Sequence, residues 1–558
     1  MEKTRPFLRR GIYFRALLRI SAKKRTFFSK NNLKNRPLCG IMREKEREAE
    51  MLPDYKGLKS GTDVRGVALE GVPGEEINLT DEAVSAIVKA FCLRLAERTG
   101  KQRPVLAIGH DSRLSAGRIS ACAVRAAEES GCDVLFTGLS STPSMFMLLQ
   151  DAEHGADASV MITASHLPFN KNGLKFFTPE GGLEGKDIDD LLSLAAQGRA
   201  REGKGSRRDM DYISEYAAGL VRLVREKTGK DKPLAGRKIA VDAGNGAGGF
   251  YAEKVLVPLG ADVSASQFLE PDGRFPNHIP NPEDKGAMKS ISERVKSTGA
   301  DFGIIFDTDV DRAGCVDAKG EEINRNRLIA LISAILLAEK PGVIVTDSVT
   351  SDGLAKFIAA HGGVHCRYKR GYKNVIDKAK ELNAAGQYSP LAIETSGHAA
   401  LKENYFLDDG AYLVTRILIS LSQLAEEGKE ISDLIKDLPE PAEAAEVRLR
   451  FTEKGKADFK TYGKDAIAGV TAAVKGLPGL SLAPDNYEGV RINFDAEHGK
   501  GWALVRMSLH EPIVPVNFES DEKGGCAAIA RGLAKLLAPY EDTIDITPLR
   551  NFGAAVGK

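Results

Sequence analysis

Gly303-Ile304-Ile305-Phe306-Asp307-Thr308-Asp309-Val310-Asp311-Arg312 is a short apolar run that breaks into three carboxylates within five residues. Such a run, bounded by polar residues, reads as a buried strand followed by a turn. The pattern recurs at Val105-Leu106-Ala107-Ile108-Gly109-His110-Asp111, at Ile239-Ala240-Val241-Asp242-Ala243-Gly244-Asn245-Gly246 and at Val343-Ile344-Val345-Thr346-Asp347. Residues 81–98, 116–130, 328–337 and 410–424 space their apolar side chains by three and four, as amphipathic helices do. Strands alternating with such helices define an α/β class with largely parallel sheets. In these sheets ligands gather at the carboxyl ends of strands, where the carboxylates after Phe306 lie.

At 558 residues the chain exceeds one core, and three or four domains are expected. The 198–211 stretch, dense in Gly, Arg and Lys, and the 436–446 stretch with Pro439 and Pro441 read as linkers. Beyond the second, Val447-Arg448-Leu449-Arg450-Phe451 and Ala503-Leu504-Val505-Arg506-Met507 read as strands of a smaller α+β domain. The expected divisions are an extension at 1–50 and domains at 51–205, 210–322, 323–437 and 445–553.

A net charge of +1 gives no global field toward nucleic acid or membrane, so neither is an expected partner. No apolar run reaches the roughly 18 residues that span a bilayer. Seven scattered cysteines without a close pair favour a reducing compartment, here the cytoplasm. The first 43 residues carry thirteen Lys/Arg and one acid. They read as a plastid or mitochondrial transit peptide, or as a misassigned start with Met42 or Met51 beginning the protein. The second reading is the expectation, because the stretch is poor in serine.

A second polar cluster lies about 140 residues upstream of the carboxylates: Thr163-Ala164-Ser165-His166-Leu167-Pro168, then Asn172-Gly173-Leu174-Lys175-Phe176-Phe177. Ser165 ends an apolar strand, and Pro168 forces a turn that exposes the hydroxyl. A lone loop serine is more often incidental. Adjacent residues of an extended chain point oppositely, so His166 is not expected to serve Ser165 as a triad base. The G-x-S-x-G elbow of a serine hydrolase is missing. Asp307, Asp309 and Asp311 repel one another unless a cation or arginine neutralises them, and all-oxygen ligation suits Mg2+. The loop lacks the Gly and Glu of an EF-hand. A phosphate-bearing hydroxyl facing a cation-holding carboxylate loop outlines phosphoryl transfer.

Three further stretches are ambiguous alone. Glu394-Thr395-Ser396-Gly397-His398 offers sugar-hydroxyl ligands or a helix cap. Arg506-Met507-Ser508-Leu509-His510-Glu511-Pro512 offers a phosphate clamp or a surface arginine. The Gly371-Tyr372-Lys373 turn adds another cation.

Taken in order, these stretches resemble the α-D-phosphohexomutase superfamily of phosphoglucomutases, phosphomannomutases and phosphoglucosamine mutases. Supporting matches are Gly61-Thr62-Asp63-Val64-Arg65-Gly66, Gly109-His110-Asp111-Ser112-Arg113, Asp242-Ala243-Gly244-Asn245-Gly246-Ala247-Gly248 and Phe275-Pro276-Asn277-His278. Each motif is weak alone; the ordered set, over residues 57 to 550, is specific. The resemblance implies four domains around a central cleft, three similar three-layer α/β domains with mixed sheets and a smaller C-terminal α+β domain. It implies interconversion of hexose 1-phosphate and hexose 6-phosphate, of glucose or mannose, through a phosphorylated Ser165 and a hexose 1,6-bisphosphate. Mg2+ would be held by Ser165, Asp307, Asp309 and Asp311. Arg65, His166 and Lys175 would assist Ser165 in catalysis. Arg312, Gly371, Tyr372, Lys373, Glu394, Ser396, His398, Arg506 and Ser508 would bind substrate, with the protein a monomer or homodimer. Departures from the family pattern are Leu167, Ile393, Thr395, Leu509 and His510; those in the sugar and phosphate loops bear on which sugar is preferred. Phosphoglucosamine mutase, a Mg-dependent sugar phosphatase and a non-catalytic phosphosugar-binding protein are the alternatives.

Overall fold

The computed structural model describes residues 53–554 except Asp485, Leu509 and His510, so the basic extension and two departures of the phosphate loop lie outside the described residues. The apolar runs assemble into four sheets, of eight, four, five and six strands.

In the first sheet, Ala158–Ile162 has all five residues buried and pairs in parallel with Val105–His110, which pairs in parallel with Asp133–Leu139. Burial on both faces is why these strands read as unbroken apolar runs. Lys171–Thr178 returns antiparallel to Ala158–Ile162, which makes the sheet mixed. The second sheet repeats this plan: Phe302–Phe306 is parallel to Ile239–Asp242 and antiparallel to Ala313–Asp317. In the third, Leu391–Ile393 is parallel to Val343–Thr346 and antiparallel to Ala399–Leu401. The fourth sheet pairs antiparallel throughout, including Gly501–Val505 with Ile513–Ser520. Fold class and mixed sheets follow the expectation.

Four of the polar motifs therefore occupy one structural position, the reversal between two antiparallel strands of the sheet. Residues 163–170, 307–312 and 394–398 are three such reversals, and the fourth motif falls between the antiparallel strands Gly501–Val505 and Ile513–Ser520. Helices fix the strands from behind. The helix Asp81–Thr99 begins at Thr80, whose side chain accepts from Ala83 N, and stops at Gly100, φ +67°. One apolar core runs from Ala107 to Leu438 through all three α/β sheets, whereas the C-terminal sheet has its own, from Val447 to Leu549.

Some local readings change. Within the 198–211 linker, Arg207–Asp209 forms an exposed edge strand beside Asp133–Leu139. The strand Glu443–Phe451 begins inside the second linker. Tyr372 and Lys373 open the helix Tyr372–Ala384 rather than a turn. Among the described residues six cysteines are free, and no helix is long and apolar enough to cross a membrane.

Candidate active site

Ser165 lies at the first reversal with φ +51° and is 3% exposed. A left-handed serine is uncommon and is held by its surroundings. Thr163 Oγ1 accepts from Ser165 N at 2.8 Å. From the strand end at 110, Arg113 Nη1 donates to the carbonyls of Pro168 (2.8 Å) and Lys171 (2.9 Å), and its Nη2 donates to those of Ser165 and Leu167. The curled backbone also corrects one expectation: His166 Nδ1 is 3.4 Å from Ser165 Oγ instead of facing away. Arg312 Nη2 donates to both, at 2.5 Å to His166 Nδ1 and 2.8 Å to Ser165 Oγ. Burial first, then Arg312 and Arg65, bring the His166 pKa down to about 3, so the imidazole is neutral.

Across from the serine, Asp307, Asp309 and Asp311 bring one carboxylate oxygen each within 4.8 Å of the others. Ser165 Oγ donates to Asp307 Oδ2 at 3.0 Å, which joins the two loops over 142 residues of sequence. The reversal is tight enough to place buried Val310 at φ +67°, a strained conformation for a β-branched residue. Lys175 Nζ reaches Asp309 Oδ2 (3.1 Å) and Asp311 Oδ2 (2.6 Å). Burial raises all three carboxyls, but Lys175 brings Asp309 and Asp311 below the usual carboxylate range. Asp307 stays well above it, through burial and then Asp311. Asp309 Oδ1 and Asp311 Oδ1 are buried with no hydrogen-bond partner. Two orphaned oxygens in a nest of three buried carboxylates fit a hard divalent cation, which would satisfy both.

The sugar loop packs on the carboxylate loop through a backbone bridge between Arg312 and His398. Ser396 Oγ is 2.9 Å from His398 Nδ1, and His398 Nε2 is 3.6 Å from Asp311 Oδ1. Glu394 Oε1 accepts from Gly371 N at 2.6 Å; burial first, then Asp347, push its carboxyl up to about 8. Thr395 turns inward, donating to Asp347 Oδ2 at 2.7 Å. Arg506 is buried at the end of Gly501–Val505, 3.9 Å from Glu488, and Ser508 Oγ accepts from Glu511 N at 3.2 Å.

The fold thus brings Ser165, His166, Lys175, Asp307, Asp309, Asp311 and Arg312 together. Arg65 is tied to Asp63 at 2.8 Å but lies close enough to depress His166. Tyr372 reaches the first domain, its hydroxyl 2.6 Å from Thr62 Oγ1. Lys373 is engaged elsewhere, by Glu184 (2.7 Å) and Asp377 (2.6 Å). Two site residues escape a reading of the motifs. Arg113 holds the serine loop, and Thr142 donates its backbone N–H to Asp309 O at 2.9 Å and its hydroxyl to Asp309 Oδ2 at 2.5 Å. Arg113 closes the Gly109-His110-Asp111-Ser112-Arg113 motif, and the Ser141-Thr142-Pro143 helix start is the only local signal at Thr142.

Comparison with known proteins gives the family. Models of the phosphoglucomutase/phosphomannomutase α/β/α domains I, II and III match residues 58–200, 211–320 and 324–442. The phosphomannomutase/phosphoglucomutase of Pseudomonas syringae pv. tomato is 30% identical over 478 residues, 85% of this chain and 93% of the relative. A phosphoglucomutase of Neisseria gonorrhoeae is 31% identical over 467 residues, 83% of this chain and 93% of its own. The crystal structure of a phosphoglucomutase/phosphomannomutase family protein from Burkholderia thailandensis superposes with a TM-score of 0.71 at 26% identity, covering 86% of this chain and 97% of the other. The chain belongs to the phosphoglucomutase/phosphomannomutase family, within the α-D-phosphohexomutases.

Proposed function

We infer that this protein interconverts the 1- and 6-phosphates of a hexose, glucose or mannose, by way of phosphorylated Ser165 and a hexose 1,6-bisphosphate. The observation that carries the reading is the 3.0 Å contact between Ser165 Oγ and Asp307 Oδ2, where a nucleophile-sized hydroxyl meets a cation-sized carboxylate nest. The names of the relatives favour glucose and mannose phosphates.

Asp307, Asp309 and Asp311 would hold Mg2+ together with a phosphoryl oxygen on Ser165. When bound, the ion offsets charge on the transferring phosphoryl group. In the first half-reaction the bond from phosphorus to Ser165 Oγ breaks and one to a sugar hydroxyl oxygen forms, that hydroxyl's proton ending on Ser165 Oγ, giving the bisphosphate. The sugar turns over, its other phosphate moves to Ser165 Oγ, and the second hexose phosphate leaves. The Ser165 proton lost in that return has an acceptor in Asp307 Oδ2 and ends on the sugar oxygen that is released, while His166 Nδ1 is held by Arg312. Arg312 keeps Oγ aimed, and Lys175 balances Asp309 and Asp311. Glu394, Ser396 and His398 present polar atoms to sugar hydroxyls, with Gly371, Tyr372 and Lys373 beside them. Arg506 and Ser508 take the non-reacting phosphate in either sugar orientation. Positioning of this kind supplies much of the barrier reduction in phosphoryl transfer.

Incubation with glucose, mannose or glucosamine 1-phosphate, Mg2+ and a trace of the matching 1,6-bisphosphate tests the reading. The expected result is the glucose or mannose 6-phosphate, with phosphate on Ser165 by mass spectrometry. Release of inorganic phosphate without isomer, or binding without turnover, would overturn it.

A further inference from the structure

The junction of the third α/β domain with the C-terminal domain holds an anion-binding arrangement that the protein fills with its own carboxylate. Glu488 stands two residues before the strand Val490–Phe494. Its Oε2 accepts from Ser348 Oγ at 2.5 Å and from Arg370 N at 3.0 Å, and its Oε1 lies 3.9 Å from Arg506 Nη1. Arg370 N opens onto the start of the helix Tyr372–Ala384, where the next amide, Gly371 N, is held by Glu394. Arg506 is 6% exposed, and its buried Nε has no hydrogen-bond partner. A backbone amide just ahead of a helix cap, a hydroxyl and a half-satisfied guanidinium form a donor set that recognises a phosphate monoester.

We propose that Glu488 is a stand-in for the substrate's non-reacting phosphate: the incoming hexose phosphate displaces it and takes over Ser348 Oγ, Arg370 N and Arg506. This rests on the mutase reading, since it presupposes that Arg506 meets a phosphate. The two anions cannot share the donors, because a carboxylate and a dianionic phosphate repel at contact distance. With substrate absent, Glu488 keeps a buried guanidinium and amide from being left uncompensated. With substrate bound, the phosphate brings more charge and more oxygens to the same donors. The neighbouring Gly489, φ +60°, sits where a Cβ would come within 2.2 Å of Val505 O, so glycine alone fits beside the exchanging side chain. Since the apolar core stops at this junction, the exchange swaps one polar bridge between the domains for another. Glu488 thereby sets how tightly every hexose phosphate is held, whichever sugar it carries.

Calorimetric titration of the full-length protein with inorganic phosphate and with glucose 6-phosphate tests the exchange. Glu488→Gln is expected to lower both dissociation constants roughly tenfold, the scale of one charge-assisted contact. Adding Ser348→Ala to it should weaken phosphate binding again, which a merely structural role for Ser348 would not do. Unchanged or weaker phosphate binding in a Glu488→Gln protein that melts like the parent overturns the proposal. If that variant does not fold, Glu488→Asp asks the same question. Its shorter carboxylate falls short of Ser348, so phosphate should bind several-fold tighter, and unchanged affinity overturns the idea. Phosphate binding needs no turnover. Tighter binding by the variant beside a wild type without mutase activity would sink the function and leave the exchange standing.

Discussion

At Ser165 a φ of +51° turns the side chain and its neighbour His166 toward the same side, against the alternation of an extended chain. The hydroxyl then has Asp307, Arg312 and His166 around it, each within 3.4 Å. Ser165→Ala should cut mutase turnover by more than about a thousandfold, because the hydroxyl aimed at the carboxylate nest is removed. Its melting curve should stay close to wild type; full activity would remove Ser165 from the mechanism. Asp309 tests the opposing loop. Its Oδ2 already serves Thr142 and Lys175, which leaves Oδ1 for a cation. Asp309→Asn should lose activity that excess Mg2+ does not restore, read from rates over a magnesium titration.

Among elements, the common feature is an antiparallel reversal that carries a polar motif, one such in each sheet. A hairpin connection rooted in two buried strands holds its polar tip more firmly than a free loop of equal length. The serine loop needs extra support, since its eight residues bridge two strands, and Arg113 supplies it through four carbonyls. Arg113 also neutralises buried Asp111, 3.3 Å away. Removing it strands that carboxylate and four carbonyls. Arg113→Ala should therefore cost about 3–5 kcal/mol in urea unfolding. Arg113→Lys should recover part of the stability and little of the rate, because an ammonium cannot span the fork. Equal loss of both in the lysine variant would contradict this role.

For the whole molecule, the telling contrast lies between one shared core for three domains and polar contacts to the fourth. At that junction Arg491 stacks on Trp502 (3.5 Å), donates to Asp352 Oδ1 (2.8 Å) and to Ser348 O (3.1 Å), while Trp502 Nε1 donates to Glu519 at 2.9 Å. Burial pushes the Glu519 carboxyl up to about 7, against the pull of Trp502 and Arg491. A carboxyl raised on folding stabilises fully below its ordinary value of 4.5, and that contribution is lost as pH rises through about 7. Wild type should thus lose stability relative to Glu519→Gln between these pH values. Parallel thermal melts of the two proteins check it; curves of equal slope would refute it.

Local sequence determined several buried strands, four of the helices and the four polar reversals, because buried strands and amphipathic faces leave their period in neighbouring residues. It also determined the oxygen-rich character of the 307–312 loop, since three alternating carboxylates are a local fact. It left Arg207–Asp209 unseen: all three residues are exposed and polar, and only backbone pairing with a distant strand makes them one. The tertiary structure alone decided that Thr142 would grip Asp309 across 167 positions, that Arg113 would hold the serine loop, and that Lys373 would pair with Glu184. Such contacts depend on how distant segments and separate domains pack, and packing is governed by the summed burial of faces rather than by any short pattern. The same holds for Glu488, whose carboxylate gains meaning only from the donors that another domain presents to it.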